Sequence, residues 1–330
     1  MTGDYAVVVV TYNRLELLKE CLGQIEGQTV PARKIIVVNN ASTDGTTEYL
    51  REYKEKDPRY GIITCTENTG GAGGFEKGVE AAGREKTECI LLIDDDAILH
   101  RDYMEKIMDA RKCNPDYQAY AGTVMTDGEI DTAHRRNVIR PGLRTKKCAE
   151  NYYTGKNAEQ PFACDIASFC GMVIDRALIR KVGLPCGAYF IWHDDTEYSI
   201  RINQYTRFLV IPTARLDHKT TAYSKRYPHR RYDWREYYGI RNRITCVKMH
   251  GSMLDRAING IDMFWNIVFR NWLFSVVHMD DYDWKYEKYL VKEAYRDARS
   301  ANVVWIGIPN FRRARIRRTQ TQAGLDSTCT

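Results

Sequence analysis

The first hundred residues alternate between short apolar runs and longer segments whose apolar positions recur every three or four residues. Tyr5 to Val10 is a continuous run rich in valine, ended by Asn13-Arg14. An unbroken run of this kind predicts a strand buried on both faces, and hence a parallel sheet. Leu15, Leu18, Leu22 and Ile25 then recur at helical spacing. Lys34 to Val38 predicts a second strand, closed by the turn-forming stretch Asn39 to Gly45. Thr46 to Lys56 predicts a helix, Gly61 to Cys65 a third strand, and Phe75 to Ala82 a helix following the glycine-rich loop Asn68 to Gly74. Cys89 to Ile93 predicts a fourth strand, with Asp94-Asp95-Asp96 directly at its carboxyl end. This alternation indicates an α/β fold with right-handed crossovers. Ligands bind beyond the carboxyl ends of such strands, where the Asn, Gly and Asp clusters all fall.

Past Ala97 the pattern weakens. Ala163 to Ile174 predicts further strand and Thr196 to Arg207 a helix, while from about Tyr232 the chain turns helical and aromatic-rich. A catalytic domain over 1–230 with a helical, basic and aromatic extension over 231–330 is the organisation expected. With 44% hydrophobic residues among 330, a sizeable core is available and disorder is not expected. The net charge of +6 is concentrated in Lys225 to Arg243 and Phe311 to Arg318. Such patches suit a phosphate-bearing substrate, a membrane surface or nucleic acid. The ten cysteines form no CxxC pair, a pattern of reduced thiols. The most apolar stretch, Ile261 to Met279, is interrupted by Asp262, Asn266, Arg270 and Asn271 and is not expected to span a bilayer. A cytoplasmic protein, peripheral on the inner face of the membrane through its basic segment, is the expectation.

Strand alternation places Asp94 and Asp96 on one face and turns Asp95 away. Two carboxylates on one face make a hard oxygen site for Mg²⁺ or Mn²⁺, whereas a plain helix cap would need only one of them. Gly70, Gly71, Gly73 and Gly74 permit close approach to a phosphate or sugar, or simply form a turn; neither GxGxxG nor GxxxxGK[ST] is present. Asp194 and Asp195 stand beside Trp192 and His193, an environment that raises a carboxylate towards general-base range, although acidic residues also complement a helix N-terminus. His218 is a lone histidine, structural by itself and a third metal ligand if the Asp pair holds an ion. Arg241 and Arg243, interleaved with Tyr237 and Tyr238, suit a pyrophosphate or a sugar ring as well as a solvated basic helix.

Together, Val7 to Arg14, Val37 to Thr46 and the strand-end Asp triplet resemble the inverting family 2 glycosyltransferases of GT-A fold. The segments Asn68 to Phe75, Trp192 to Tyr198 and Tyr237 to Arg243 are most similar to those of bacterial galactofuranosyltransferases. The resemblance implies a nucleotide-sugar donor, UDP-galactofuranose or, in a rhamnosyltransferase, dTDP-rhamnose. It implies that Asn40 meets the nucleobase and that Thr11 and Arg14 lie near the uridine, with Asp44, Asp95 and the glycines in the donor site. It further implies a Mn²⁺ or Mg²⁺ ion on Asp94, Asp96 and His218, and Asp195 as general base. Asp194 and Glu197 would shape an acceptor site with Trp192, His193, Arg241 and Arg243, for a glycan or polyprenyl-linked glycan. The QxxRW signature of processive synthases is missing. A nucleotidyltransferase would carry a basic glycine loop where Thr11-Tyr12-Asn13 stands. In a non-catalytic nucleotide-sugar or nucleic-acid binder the acidic clusters would repel the polyanion, so no nucleic-acid partner is expected.

Overall fold

The computed structural model describes residues 3–219, 234–269, 272–273, 284–300, 304–308 and 311–315. The first half follows the predicted alternation: β1 (Tyr5–Thr11), α1 (Leu15–Glu26), β2 (Lys34–Asn39), α2 (Thr46–Lys56), β3 (Tyr60–Thr64), α3 (Gly70–Ala82) and β4 (Cys89–Asp94). These strands pair in parallel in the order β3-β2-β1-β4. Every residue of β1 is buried, as its uniform apolarity requires, and two apolar layers cover the sheet's faces.

The glycine run departs from expectation. It is the first turn of α3 and not a loop ahead of it. A Cβ on Gly74 would lie 2.4 Å from a Val10 methyl, and one on Gly70, at φ +70°, would lie 2.1 Å from the Phe190 carbonyl oxygen. The glycines let α3 lie almost on β1 and on the chain before α6, a packing demand as well as a conformational one.

The second half carries the elements that the sequence pattern left unread. In order they are β5 (Ala97–Leu99), α4 (Tyr103–Cys113), β6 (Ala119–Thr126), β7 (Glu129–Ile130), β8 (Arg135–Ile139), β9 (Arg144–Lys147), β10 (Phe162–Cys164), β11 (Ile166–Ala167), β12 (Met172–Asp175), α5 (Arg176–Val182), α6 (Asp194–Ile202) and β13 (Phe208–His218). The single strand expected over 163–174 is three short ones in two sheets. β10 and β12 belong to the main sheet, and β11 joins β8 and β9 in a small one. β12 runs antiparallel to both β4 and β6, while β13 lies parallel to β6. The main sheet is therefore mixed, ordered β10-β13-β6-β12-β4-β1-β2-β3.

Helices α7 (Trp234–His250), α8 (Met253–Met263) and α9 (Trp284–Ser300) follow, then a hairpin of β14 (Val304–Ile308) and β15 (Phe311–Arg315). Of the basic segment expected at Lys225 to Arg243, residues 225–233 lie outside the described residues, as do Arg317 and Arg318. No helix among the described residues is long and apolar enough to cross a membrane. The described cysteines are free thiols, all buried except Cys113.

Candidate active site

A cleft of about 710 Å³ opens at the carboxyl ends of β1, β2 and β4. One wall carries Thr11, Arg14, Asn40, Gly70, Gly71 and the three aspartates of 94–96; the other carries Arg136, Trp192, His193, Asp194, Asp195 and His218. Two acidic clusters a hundred positions apart in sequence thus face one cavity.

The strand ends at Asp94, so the expected alternation stops there. Asp95 and Asp96 form a turn, and all three side chains line the cleft. Arg14 Nη1 bridges Asp95 Oδ1 at 3.2 Å and Asp96 Oδ2 at 2.5 Å. His218, at the last position of β13, sets Nε2 3.5 Å from Asp96 Oδ1. Burial, then the Asp96 charge, pushes the Asp94 carboxyl up to about 7; burial pushes Asp95 up to about 6 against the pull of Arg14. For His218, burial works to lower the pKa, but Asp96 and Asp94 outweigh it and the net direction is up. Among the described residues no three such side chains already form an ion shell. Even so, carboxylates crowded to the point of holding protons, with an imidazole beside them, are the hard-oxygen and nitrogen donors that suit Mg²⁺ or Mn²⁺.

Asn40 lines the cleft, but its amide is engaged within the protein. Oδ1 accepts from Thr69 N at 2.9 Å, and Nδ2 donates to Asn68 Oδ1 at 2.8 Å and Gly70 O at 3.0 Å. It ties the end of β2 to the start of α3. Asp44 falls outside the cleft lining, where it accepts from Leu15 N at 2.9 Å and Thr46 Oγ1 at 2.6 Å and fastens the starts of α1 and α2. Gly73 and Gly74 also lie outside the lining, turned to packing, while Gly70 and Gly71 reach it.

The opposite wall is built on a contorted approach to α6. Phe190, Trp192 and His193 adopt φ of 65°, 62° and 65°, a region that non-glycine residues enter only when the surroundings enforce it. Here α7 enforces it. Asn242 Nδ2 lies 2.8 Å from Trp192 O and 2.9 Å from both Tyr189 O and Ile191 O; Arg241 donates to Ala188 O at 2.8 Å. Arg241, 1% exposed, is therefore a brace for the loop and not an acceptor contact. Two further acceptor assignments change likewise. Arg243 pairs with Asp262 and fastens α7 to α8. Glu197 is fully buried, its oxygens 2.7 Å from Arg201 Nε and Nη2 and 2.8 Å from His250 Nε2. A carboxylate so enclosed cannot greet a substrate.

Asp194 and Asp195 do reach the cleft. Burial, followed by the charges of Asp195 and Asp94, pushes the Asp194 carboxyl well up. Asp195 Oδ1 accepts from Thr196 N at 2.5 Å, and its Oδ2 lies 3.3 Å from Arg136 Nη2. Burial, then Arg136, lowers the His193 imidazole to about 4, which keeps it neutral near pH 7. Trp192, 37% exposed, presents its ring at the mouth.

Sequence reasoning missed two residues here. Arg136 also donates to Thr196 Oγ1 at 2.9 Å. His134 packs edge-on against His218, with ring centroids 5.0 Å apart, and its Nδ1 lies 2.8 Å from Ser168 Oγ. Both precede or begin the two-sided polar strand β8, which carries no apolar period to mark it; the cluster Asp131 to Arg136 was the available signal.

Comparison with known proteins agrees with this architecture. The family model described as glycosyl transferase family 2 matches residues 6–183. EpsH of Bacillus subtilis (strain 168), named as a glycosyltransferase, is 33% identical over 107 residues, which are 32% of this chain and 30% of that protein. The galactofuranosyltransferase GlfT1 of Mycobacterium tuberculosis (strain CDC 1551 / Oshkosh) is 27% identical over 204 residues, 61% of this chain and 65% of GlfT1. The chain thus spans less than two thirds of the length of each. The crystal structure of GalNAc-T7 with UDP, GalNAc and Mn²⁺ superposes with a TM-score of 0.62 at 13% identity, over 78% of this chain and 50% of that one. That likeness shows the fold, which is GT-A. The chain belongs to glycosyl transferase family 2.

Proposed function

We propose that this protein is an inverting glycosyltransferase that moves galactofuranose from UDP-galactofuranose to a glycan or lipid-linked glycan. The observation that carries the reading is the convergence of Asp94 to Asp96 and Asp194-Asp195 on one cleft at the carboxyl ends of parallel strands. The GlfT1 match supports the donor, because it extends beyond the nucleotide-binding half common to the family.

In this reading Thr11, Arg14 and Gly71 face the donor, and Asn40 shapes its pocket through Asn68 and Gly70. Asp94, Asp96 and His218 would hold Mn²⁺ or Mg²⁺, which when bound offsets charge developing on the departing diphosphate. Arg14 spans Asp95 and Asp96 and is itself a cation poised beside that diphosphate. Trp192 offers a face for the acceptor sugar. Asp195, held by Arg136 and the Thr196 N–H, accepts the proton of the acceptor hydroxyl as that oxygen attacks the anomeric carbon from the face opposite the leaving group. The configuration inverts in one displacement, with no sugar–enzyme bond.

The test is calorimetric titration of the full chain with UDP and dTDP, each with and without Mn²⁺. Metal-dependent binding of UDP alone is the expected result. Preference for dTDP would move the donor to rhamnose, and binding of neither would remove the nucleotide-sugar reading.

A further inference from the structure

Away from the cleft, α7, α8 and α9 enclose a second cavity of about 520 Å³. Val247 and Met263 supply apolar lining, and Lys248, Arg256 and Arg299 stand around it. The three cations are tied into one rim: Arg256 Nη2 donates to Lys248 O at 2.7 Å, and Lys248 Nζ to Arg299 O at 3.2 Å. Neither Arg256 nor Arg299 meets a carboxylate among the described residues. Asn259 also lines the cavity. It is 4% exposed, and its Nδ2 donates to nothing among the described residues. A buried amide N–H left unmade costs about 1–3 kcal/mol, so this donor awaits an acceptor oxygen.

The outward face of α8 is the reverse of what water favours. Leu254 and Ile261 are each 59% exposed and Trp265 54%, at helical spacing, with Phe269 and Trp272 beyond them. Trp265 and Phe269 pack edge-on at 4.7 Å, and Phe269 and Trp272 lie 5.9 Å apart, so the rings form one continuous ridge. A patch of this size marks a contact surface.

We propose that α8 docks on an anionic lipid leaflet, its aromatic ridge entering the interface and its basic cavity taking a lipid phosphate. Tryptophan beside arginine and lysine is the composition that an interfacial helix requires. A second copy fits worse, because a twofold contact sets the same patch against itself and would bring the three cations face to face. The surface is independent of the glycosyl-transfer reading.

The experiment is cosedimentation of the full chain with vesicles of phosphatidylcholine, with or without phosphatidylglycerol. UDP titration of each variant checks that the fold is intact. The unmodified chain should prefer the anionic vesicles by tenfold or more. Arg256→Glu with Arg299→Glu should abolish that preference, each charge being worth about fivefold. Ile261→Ser with Trp265→Ser should weaken binding to both vesicles. Short-chain phosphatidylglycerol below its micelle concentration should leave vesicle binding intact; full competition would make the cavity a site for a soluble anion and overturn the docking. Equal binding to both vesicles, or no binding with a dimer in light scattering that the Ser variant dissolves, would also overturn it.

Discussion

At the scale of single residues, burial separates chemistry from structure. Asp195 and Glu197 stand two positions apart in one acidic motif. Only Asp195 opens to the cleft; Glu197 is sealed between Arg201 and His250. Asp195→Asn is expected to keep UDP affinity and lose transfer by roughly 10²–10⁴-fold, the range for a general base. Normal turnover by that variant would end the assignment. Glu197→Gln should do the opposite. It leaves the Arg201 guanidinium buried without its charge partner, at a cost of about 3 kcal/mol of stability, while turnover per folded molecule stays unchanged. Denaturant titration beside acceptor kinetics separates the cases: a raised acceptor KM at unchanged stability would return Glu197 to the acceptor site. Nothing in the string Trp192 to Tyr198 distinguishes these two acids, because burial of a helix side chain is decided by what packs on it, here α7.

Among elements, α8 is secured by one carboxylate. Ser252 and Asp255 form a reciprocal cap, and Asp255 also accepts from Gly142 N and Arg140 Nη1, each at 2.6 Å. Backbone bonds from Ser252, then from Gly142, hold its carboxyl down at about 2, below the usual carboxylate range. The sign follows: a depressed folded value means stability that is present above the unfolded value, near 3.9, and lost as pH falls through about 2. Asp255→Asn should therefore destabilise the chain near neutral pH by about 1–2 kcal/mol, and the gap from the parent should narrow as pH drops from 4 towards 2. Thermal melts across that range check it; a gap independent of pH would refute the cap's electrostatic part. Element by element, legibility tracks the kind of burial. β1 to β4 are buried on both faces, so their residues are uniformly apolar and readable. β8 and β11 have two and five residues in a small sheet, and β12 is a short antiparallel insertion. None is long enough to display a period. The glycine run read as loop because glycine disfavours helix, yet close approach to Val10 outweighs that preference.

On the scale of the whole molecule, the donor wall comes from local β–α units and was legible almost in full, whereas the opposite wall depends on chain that returns from far away. Arg136 and His134 come from β8 and the turn before it, and the brace of Arg241 and Asn242 comes from α7. No local pattern records such partnerships. The mixed sheet has one further consequence, for the order in which the protein assembles. β13 pairs with β6, Phe208 against Ala119, across the whole of β7 to α6. Closing so long a loop is slow, whereas β1 to β4 join neighbours. The nucleotide wall should therefore collapse early, with β13 docking last and carrying His218 to Asp96 only then. In stopped-flow refolding, the intrinsic fluorescence change should lead and recovery of UDP binding with Mn²⁺ should trail it, in step with the slowest phase. Simultaneous recovery of both signals would mean that the sheet forms as one unit. If the lag is present, a nascent chain remains catalytically silent until almost its last sheet contact is made.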